Sequence, residues 1–287
     1  MKIALSSYSL RQKVQSGEMT AFSMLAVCKQ MGFAGIEYAG FTPHDASSPL
    51  EYAQKLREES QRLNLPIVNY AIGADFLNGS GGDLQAEIRR TMQQVDIAHA
   101  LGAPLMRHDA TAGFAQGTRG FRGVEDVLGR IAQGCKQVSE YAKGLGIRTM
   151  VENHGYFMQD STRVEKLVNA VRDDNFGLLV DIGNFMCADE DPVPAVGRSA
   201  PYAFHVHAKD FLLKTPEAQP GAGFFPTRGG NLLRGTIVGH GIVPVRACLN
   251  ALKSAGYDGY VAVEFEGLEE PLQAAQIALE NLQQYLS

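Results

Sequence analysis

Tyr202–Asp210 reads Y-A-F-H-V-H-A-K-D. It is short, apolar and aromatic, as a buried strand is, yet its C-terminal end carries two histidines, a lysine and an aspartate. Alternation along a strand puts His205 and His207 on one face. Three further strand-like stretches end in an acid: T-M-V-E-N-H at Glu152, L-L-V-D-I-G at Asp181 and V-A-V-E-F-E at Glu264. The spacings Glu152–Asp181, Asp181–His207 and His207–Glu264 are 29, 26 and 57 residues. The first two are about the length of one strand–helix unit. The third is longer because Phe211–Gly241, rich in Gly, Pro and Arg, falls inside it.

Outward from this stretch the same alternation runs through the chain. Strands are expected over Lys2–Ser7, Gly35–Tyr38, Pro66–Ile72, Pro104–His108, Arg148–Glu152, Gly177–Asp181, Tyr202–Asp210 and Gly259–Phe265. Helices are expected over Thr20–Met31, Pro49–Leu63, from the N-cap Asp83 to Leu101, Val124–Leu145, Ser161–Arg172, Pro192–Gly197, Val243–Ala255 and Glu269–Tyr285. Gly32 and Gly102 stand where helix C-caps should. Eight such units without a linker predict an α/β fold, a (β/α)8 TIM barrel formed as a single domain by residues 1–287. A doubly wound open sheet competes, but no G-x-G-x-x-G or P-loop follows the first strand.

Composition narrows the function. The net charge is −5, the pI is about 5.8 and no basic tract occurs, so nucleic acid or an anionic membrane surface finds little electrostatic support. No apolar run approaches the roughly 20 residues that span a bilayer. The N-terminal M-K-I-A-L-S-S-Y turns polar too soon for a signal peptide and reads as a first strand. Cys28, Cys135, Cys187 and Cys248 are widely spread and form no C-x-x-C pair, as expected of reduced thiols in a cytoplasmic protein.

Active sites of such barrels lie at the C-terminal strand ends, where Glu152, Asp181, His207 and Glu264 would meet. Three carboxylates converging in a cleft must either rise in pKa or be neutralised by a cation. One divalent ion held by three carboxylates and an imidazole meets that need. Oxygen-rich donors point first to Mn2+, with Mg2+, Co2+ or Zn2+ as alternatives. A lone strand-end acid is more often a helix cap or salt-bridge partner; it is the shared phasing of four that argues for a site. His205, one layer deeper than His207, reads as a core histidine or as support for a ligand.

Further candidates for the substrate pocket are His108 and Asp109 after strand four, His154 two residues past Glu152, and Glu37 on strand two. Lys209 and Asp210 read equally as an ion pair or as substrate contacts. Arg228, Arg234 and His240 lie in the long loop, whose glycines suggest a folded flap, and an arginine there could take a phosphate or carboxylate. With no Trp in the chain, sugar stacking falls to Phe and Tyr, such as Tyr8, Tyr70, Phe157 and Phe224.

At V-E-N-H (Glu152), V-D-I-G-N (Asp181), H-V-H-A-K-D (His207) and Y-D-G-Y-V-A-V-E (Glu264) the chain resembles the xylose isomerase-like TIM barrels, which include sugar-phosphate isomerases and ketose 3-epimerases. The resemblance covers nearly the whole chain. It implies that Glu152, Asp181, His207 and Glu264 bind one divalent metal and that Glu152 and Glu264 also act as acid/base catalysts. Ketose 3-epimerases usually carry a histidine three residues after the metal aspartate. This chain has Asn184 there, a further substrate-pocket candidate, and its Phe211–Gly241 loop is longer than theirs. Barrels of this family often pair, which implies a homo-oligomer.

The activity expected is a metal-dependent sugar isomerase or epimerase that removes a proton beside a carbonyl and passes through an enediolate. A lyase or dehydratase acting on a keto-sugar, keto-glycoside or inositol derivative would share that first step. The apurinic-endonuclease branch of the fold needs more metals, more histidines and a cationic groove, against an acidic chain with seven histidines. A non-catalytic sugar-binding barrel is the remaining alternative, opposed by the intact four-residue set.

Overall fold

Eight short parallel strands close on themselves in the computed structural model, which describes Met1–Ser287. In chain order they begin with β1 (Lys2–Ser6), β2 (Ile36–Ala39), β3 (Ile67–Ile72), β4 (Leu105–His108), β5 (Arg148–Glu152), β6 (Phe176–Asp181) and β7 (Ala203–Ala208). A separate three-stranded antiparallel sheet follows: β8 (Asp210–Lys214), β9 (Phe225–Pro226) and β10 (Leu232–Thr236). The eighth barrel strand, β11 (Tyr260–Val263), pairs with both β7 and β1 and closes the ring.

The strands are nearly continuous apolar runs because both faces are covered; every residue of β6 is buried. Around them lie α1 (Arg11–Gln15), α2 (Ala21–Met31), α3 (Pro49–Arg62), α4 (Leu84–Leu101), α5 (Leu128–Gly144), α6 (Ser161–Val171), α7 (Pro192–Ser199), α8 (Val245–Ser254) and α9 (Pro271–Leu286). Their ends follow local chemistry. Thr20 and Ser48 form capping boxes with Ser23 and Glu51, and Asp83 caps α4 through the Ala86 N–H. Gly32 and Gly102 end α2 and α4 in the left-handed region, φ 93° and 72°. No helix is long and apolar enough to cross a membrane. The four cysteines are free and buried.

Three expectations change. The fifth helix starts at Leu128 rather than Val124, because the Asp126 carboxylate accepts from the Gly123 N–H and holds the intervening residues in a turn. The opening stretch is not one strand: β7 stops at Ala208 and Asp210 begins β8. Asp210 does not pair with Lys209; its carboxylate accepts the backbone N–H groups of Phe211, Gly239, Gly241 and Val243. It thereby pins both ends of the 211–241 segment, which folds as an ordered β-flap beside the barrel mouth.

Candidate active site

The four strand ends meet as the phasing predicts. One ligand-type atom from each of Glu152, Asp181, His207 and Glu264 lies within 4.8 Å of the other three, and all four residues are buried. Glu152, His207 and Glu264 line a cavity of about 390 Å3 in the barrel mouth, and Asp181 lies buried beside them. Local sequence brings them into line. Asn153 exchanges two hydrogen bonds, both 2.9 Å, with the backbone of Asp181 and so ties the ends of β5 and β6. After Asp181 the chain runs against the end of β7. A Cβ on Gly183 would meet the Lys209 carbonyl oxygen at 2.8 Å, which accounts for the glycine in V-D-I-G.

Two buried atoms at the centre lack hydrogen bonds: Asp181 Oδ2 and His207 Nδ1. Asp181 Oδ1 accepts the Gly183 and Asn184 N–H groups, which leaves Oδ2 turned to the cluster. His207 Nε2 lies 2.9 Å from both oxygens of Glu37, so Nε2 carries the proton and Nδ1 faces Glu264, Asp181 and Glu152 at 3.4, 3.8 and 3.9 Å. An imidazole nitrogen and a carboxylate oxygen, both free of hydrogen bonds, and two further carboxylates form a donor set that fits one divalent cation.

Charge is arranged around this centre in layers. Glu37, fully buried, also accepts Ser6 Oγ (2.7 Å) and Asn69 Nδ2 (2.8 Å), and His205 Nε2 lies 3.1 Å away. Burial would raise the Glu37 pKa, but His207 and His205 hold it well below the usual carboxylate range. His207 is itself raised well above its ordinary value, burial notwithstanding, by Glu37 and Glu264. A cation entering would displace that proton. Burial raises Asp181 to about 6, against the nearby Lys209. Lys209 Nζ reaches Glu264, Glu266 and Asp181 at 2.5, 3.2 and 3.3 Å, and these acids outweigh burial to keep it charged. Arg107 spans Glu152 Oε2 and Asp109 Oδ1, both at 2.7 Å, and donates to the Ile72 carbonyl.

Of the other residues singled out in the sequence, His154 and Lys209 line the cavity, and His154 Nδ1 contacts Asp109 Oδ1 at 3.0 Å. Burial works against charge on His154, but that aspartate raises its pKa. Asn184 sits beneath, donating to Glu152 Oε1 (2.9 Å) and accepting from Lys209 (3.3 Å). His108, Arg228 and Arg234 are not brought to the cavity. His108 is wholly buried between the rings of Phe76 and Phe176, which pushes its pKa down to about 4. Strand alternation turns its neighbour Arg107 inward instead. Arg228 pairs with Asp160 (2.8 Å) and donates to the Tyr156 carbonyl, and Arg234 lies under Phe224 beside Glu269. Tyr8 and Tyr70 line the cavity, whereas Phe157 packs on Phe114 and Phe224 stays with the flap. Arg107, Glu266, Gln94 and Phe41 line it as well and escaped the sequence reading. The signal for Arg107 was present in the same alternation that pointed to His207.

Comparison with known proteins bears on the family and the fold. The model of the family described as "Xylose isomerase-like TIM barrel" matches residues 25–285. Inosose dehydratase of Lacticaseibacillus casei is 24% identical over 151 residues, 52% of this chain and 50% of that protein, so the chain spans half the length of this relative. The rhizopine catabolism protein MocC of Rhizobium meliloti is 25% identical over 289 residues, covering 93% and 82%. The solved structure of IOLI protein with a bound zinc atom superposes with a TM-score of 0.77 at 18% identity, covering 100% of this chain and 98% of that one.

Proposed function

The chain belongs to the xylose isomerase-like TIM barrel family, and from that premise we propose that it is an enzyme that moves a proton at the carbon beside the carbonyl of a polyhydroxy ketone, as a sugar isomerase or epimerase. The observation that carries this reading is the buried cluster with two atoms free of hydrogen bonds, Asp181 Oδ2 and His207 Nδ1. Glu152, Asp181, His207 and Glu264 would hold one divalent ion, Mn2+ first by their oxygen-rich chemistry, with Mg2+, Co2+ and Zn2+ as alternatives. Such an ion supplies positive charge that stabilises the oxygen anion formed when the adjacent C–H is deprotonated.

The chain's own residues do the rest. Glu152 and Glu264 reach the cavity from β5 and β11, flanking β6 and β7. From there one carboxylate would remove the proton. For isomerisation it gives the same proton back at the neighbouring carbon. For epimerisation the opposite carboxylate, first protonated from water, gives its proton to the other face while the first releases its own to water. Arg107 and Asn184 each bind one oxygen of Glu152 and fix its plane. Lys209 holds Glu264 ionised: burial opposes this, but Lys209 and His207 together keep its pKa well below the ordinary value. His154, at the rim, and Tyr8 and Tyr70 on the wall would orient the ring.

A second reading, dehydration, is favoured by the inosose dehydratase relatives. It uses the same abstraction and differs only in loss of a hydroxyl afterwards. The test is metal content together with deuterium uptake from D2O by a panel of ketoses, keto-sugars and inososes. One divalent ion per chain and exchange beside the carbonyl are expected, and the product then distinguishes epimer, isomer and alkene. Glu264→Gln should lose both metal and exchange while keeping the fold. Unchanged metal content in a folded Glu264→Gln protein would refute the assignment.

A further inference from the structure

Beside the catalytic cavity lies a second one of about 560 Å3, between the segment after β1 that includes α1 and the segment after β2. The two cavities share one wall: Tyr8, Ala39, Gly40 and Phe41 line both. All four residues are only partly buried, so this wall stands in the open mouth rather than sealing one cavity from the other.

The two cavities differ in charge. The first carries Glu152, Glu264 and Glu266, and its two permanent cations, Arg107 and Lys209, are both committed to carboxylates. The second has no carboxylate in its lining. Val14, Met19 and Phe41 give it apolar surface beside the polar Gln15, Thr20, Thr42 and His44, and its charged edge is Arg11, whose guanidinium lies over the Tyr8 ring, 4.4 Å from the centroid. A flat apolar group would bury its faces against methionine and aromatic surface.

We propose that the second cavity is a subsite for an aryl substituent of the substrate, so that the substrate is an aryl glycoside whose oxidised sugar ring lies under Glu152 and Glu264. One bridging glycosidic oxygen carries the substituent across the shared Tyr8–Phe41 wall. The position of the ring rests on the proposed function; the affinity of the subsite does not.

The test is calorimetric binding of phenyl β-D-glucoside and methyl β-D-glucoside to the full-length, metal-loaded protein. The phenyl compound should bind about tenfold tighter or better. Val14→Trp and Thr42→Trp place bulk in the second cavity from residues that line it alone and are exposed. In either variant that folds by circular dichroism, the phenyl-to-methyl affinity ratio should fall to within about twofold of one. Equal affinity in the parent protein, including no binding by either glucoside, overturns the proposal. So does a ratio unmoved in both variants. Deuterium exchange into the two matching 3-keto-glucosides is followed in parallel. A preserved phenyl preference without exchange would sink the proposed chemistry while leaving the subsite standing.

Discussion

Glu37 makes the sharpest test of how the centre is built. It does not line the cavity itself, yet it receives Ser6 Oγ, Asn69 Nδ2 and the cavity residue His207 through Nε2 within 2.9 Å, with His205 Nε2 at 3.1 Å. Glu37→Gln keeps the shape and replaces one acceptor oxygen by an N–H2 group aimed at donors. At least one buried donor is then unpaired, at a cost of about 1–3 kcal/mol in the metal-free protein. The larger consequence is at His207, whose Nε2 proton is held by that carboxylate so that Nδ1, once it gives up its own proton, presents its lone pair to a cation. Loss of such a partner typically weakens metal binding 10–100-fold. The assay is Mn2+ affinity by chelator competition on folded protein, with Ser6→Ala as control. That control removes one donor to Glu37 and leaves the His207 contact intact. The expected result is a weakening of tenfold or more in Glu37→Gln and within about twofold in Ser6→Ala. A folded Glu37→Gln protein with unchanged Mn2+ affinity would refute the argument that Glu37 sets the tautomer of His207.

Lys209→Met strips the counter-ion from Asp181, Glu264 and Glu266 in a buried site. The metal-free protein should lose about 3–5 kcal/mol in urea unfolding, and added Mn2+ should raise the Tm of the variant more than that of the parent; a loss below about 1 kcal/mol would contradict this charge balance. Asp181 gives a pH signature. Burial raises its pKa from 3.8 to about 6, so the fold retains this proton after the unfolded chain has released it. The metal-free protein should therefore lose stability as pH rises from about 4 to 6, on the order of 3 kcal/mol from this one group. Asp181→Asn keeps an acceptor for the Gly183 and Asn184 N–H groups and should remove that share of the loss. Identical pH slopes for the two proteins in EDTA would rule it out.

What was legible in the chain was whatever a period of two and a repeat of one strand–helix unit can carry. Glu152, Asp181, His207 and Glu264 each end or follow a strand at matching phase, and barrel closure alone brings such ends together. His108 and Arg107 show the limit of that reading. Two adjacent polar residues end β4, and which of them faces the cavity depends on a single step of register. Lys209 and Asp210 look like an ion pair in sequence, but β7 ends just before them and β8 begins at Asp210, which sends one to the carboxylates and the other to the flap backbone. Arg228 and Arg234 look free in a glycine-rich loop until that loop folds and gives each an acid, Asp160 or Glu269.

Charge explains why the centre could not be read from any one motif. Glu37, Asp109, Glu152, Asp181, Glu264 and Glu266 come from the ends of β2, β4, β5, β6 and β11 or just beyond them, and each alone would pass for a cap or a surface acid. The fold gathers them around the permanent cations Arg107 and Lys209 and the imidazole of His207. Even with His207 charged, six carboxylates face three positive groups. The protons on Asp181 and His207 are what the metal-free protein uses to narrow that gap, and both pKa values are raised accordingly. A divalent ion held by this cluster would favour release of both. The tightness of metal binding should therefore follow the cost of the strain it relieves, which places the stability of the empty barrel and its affinity for metal on opposite ends of one balance.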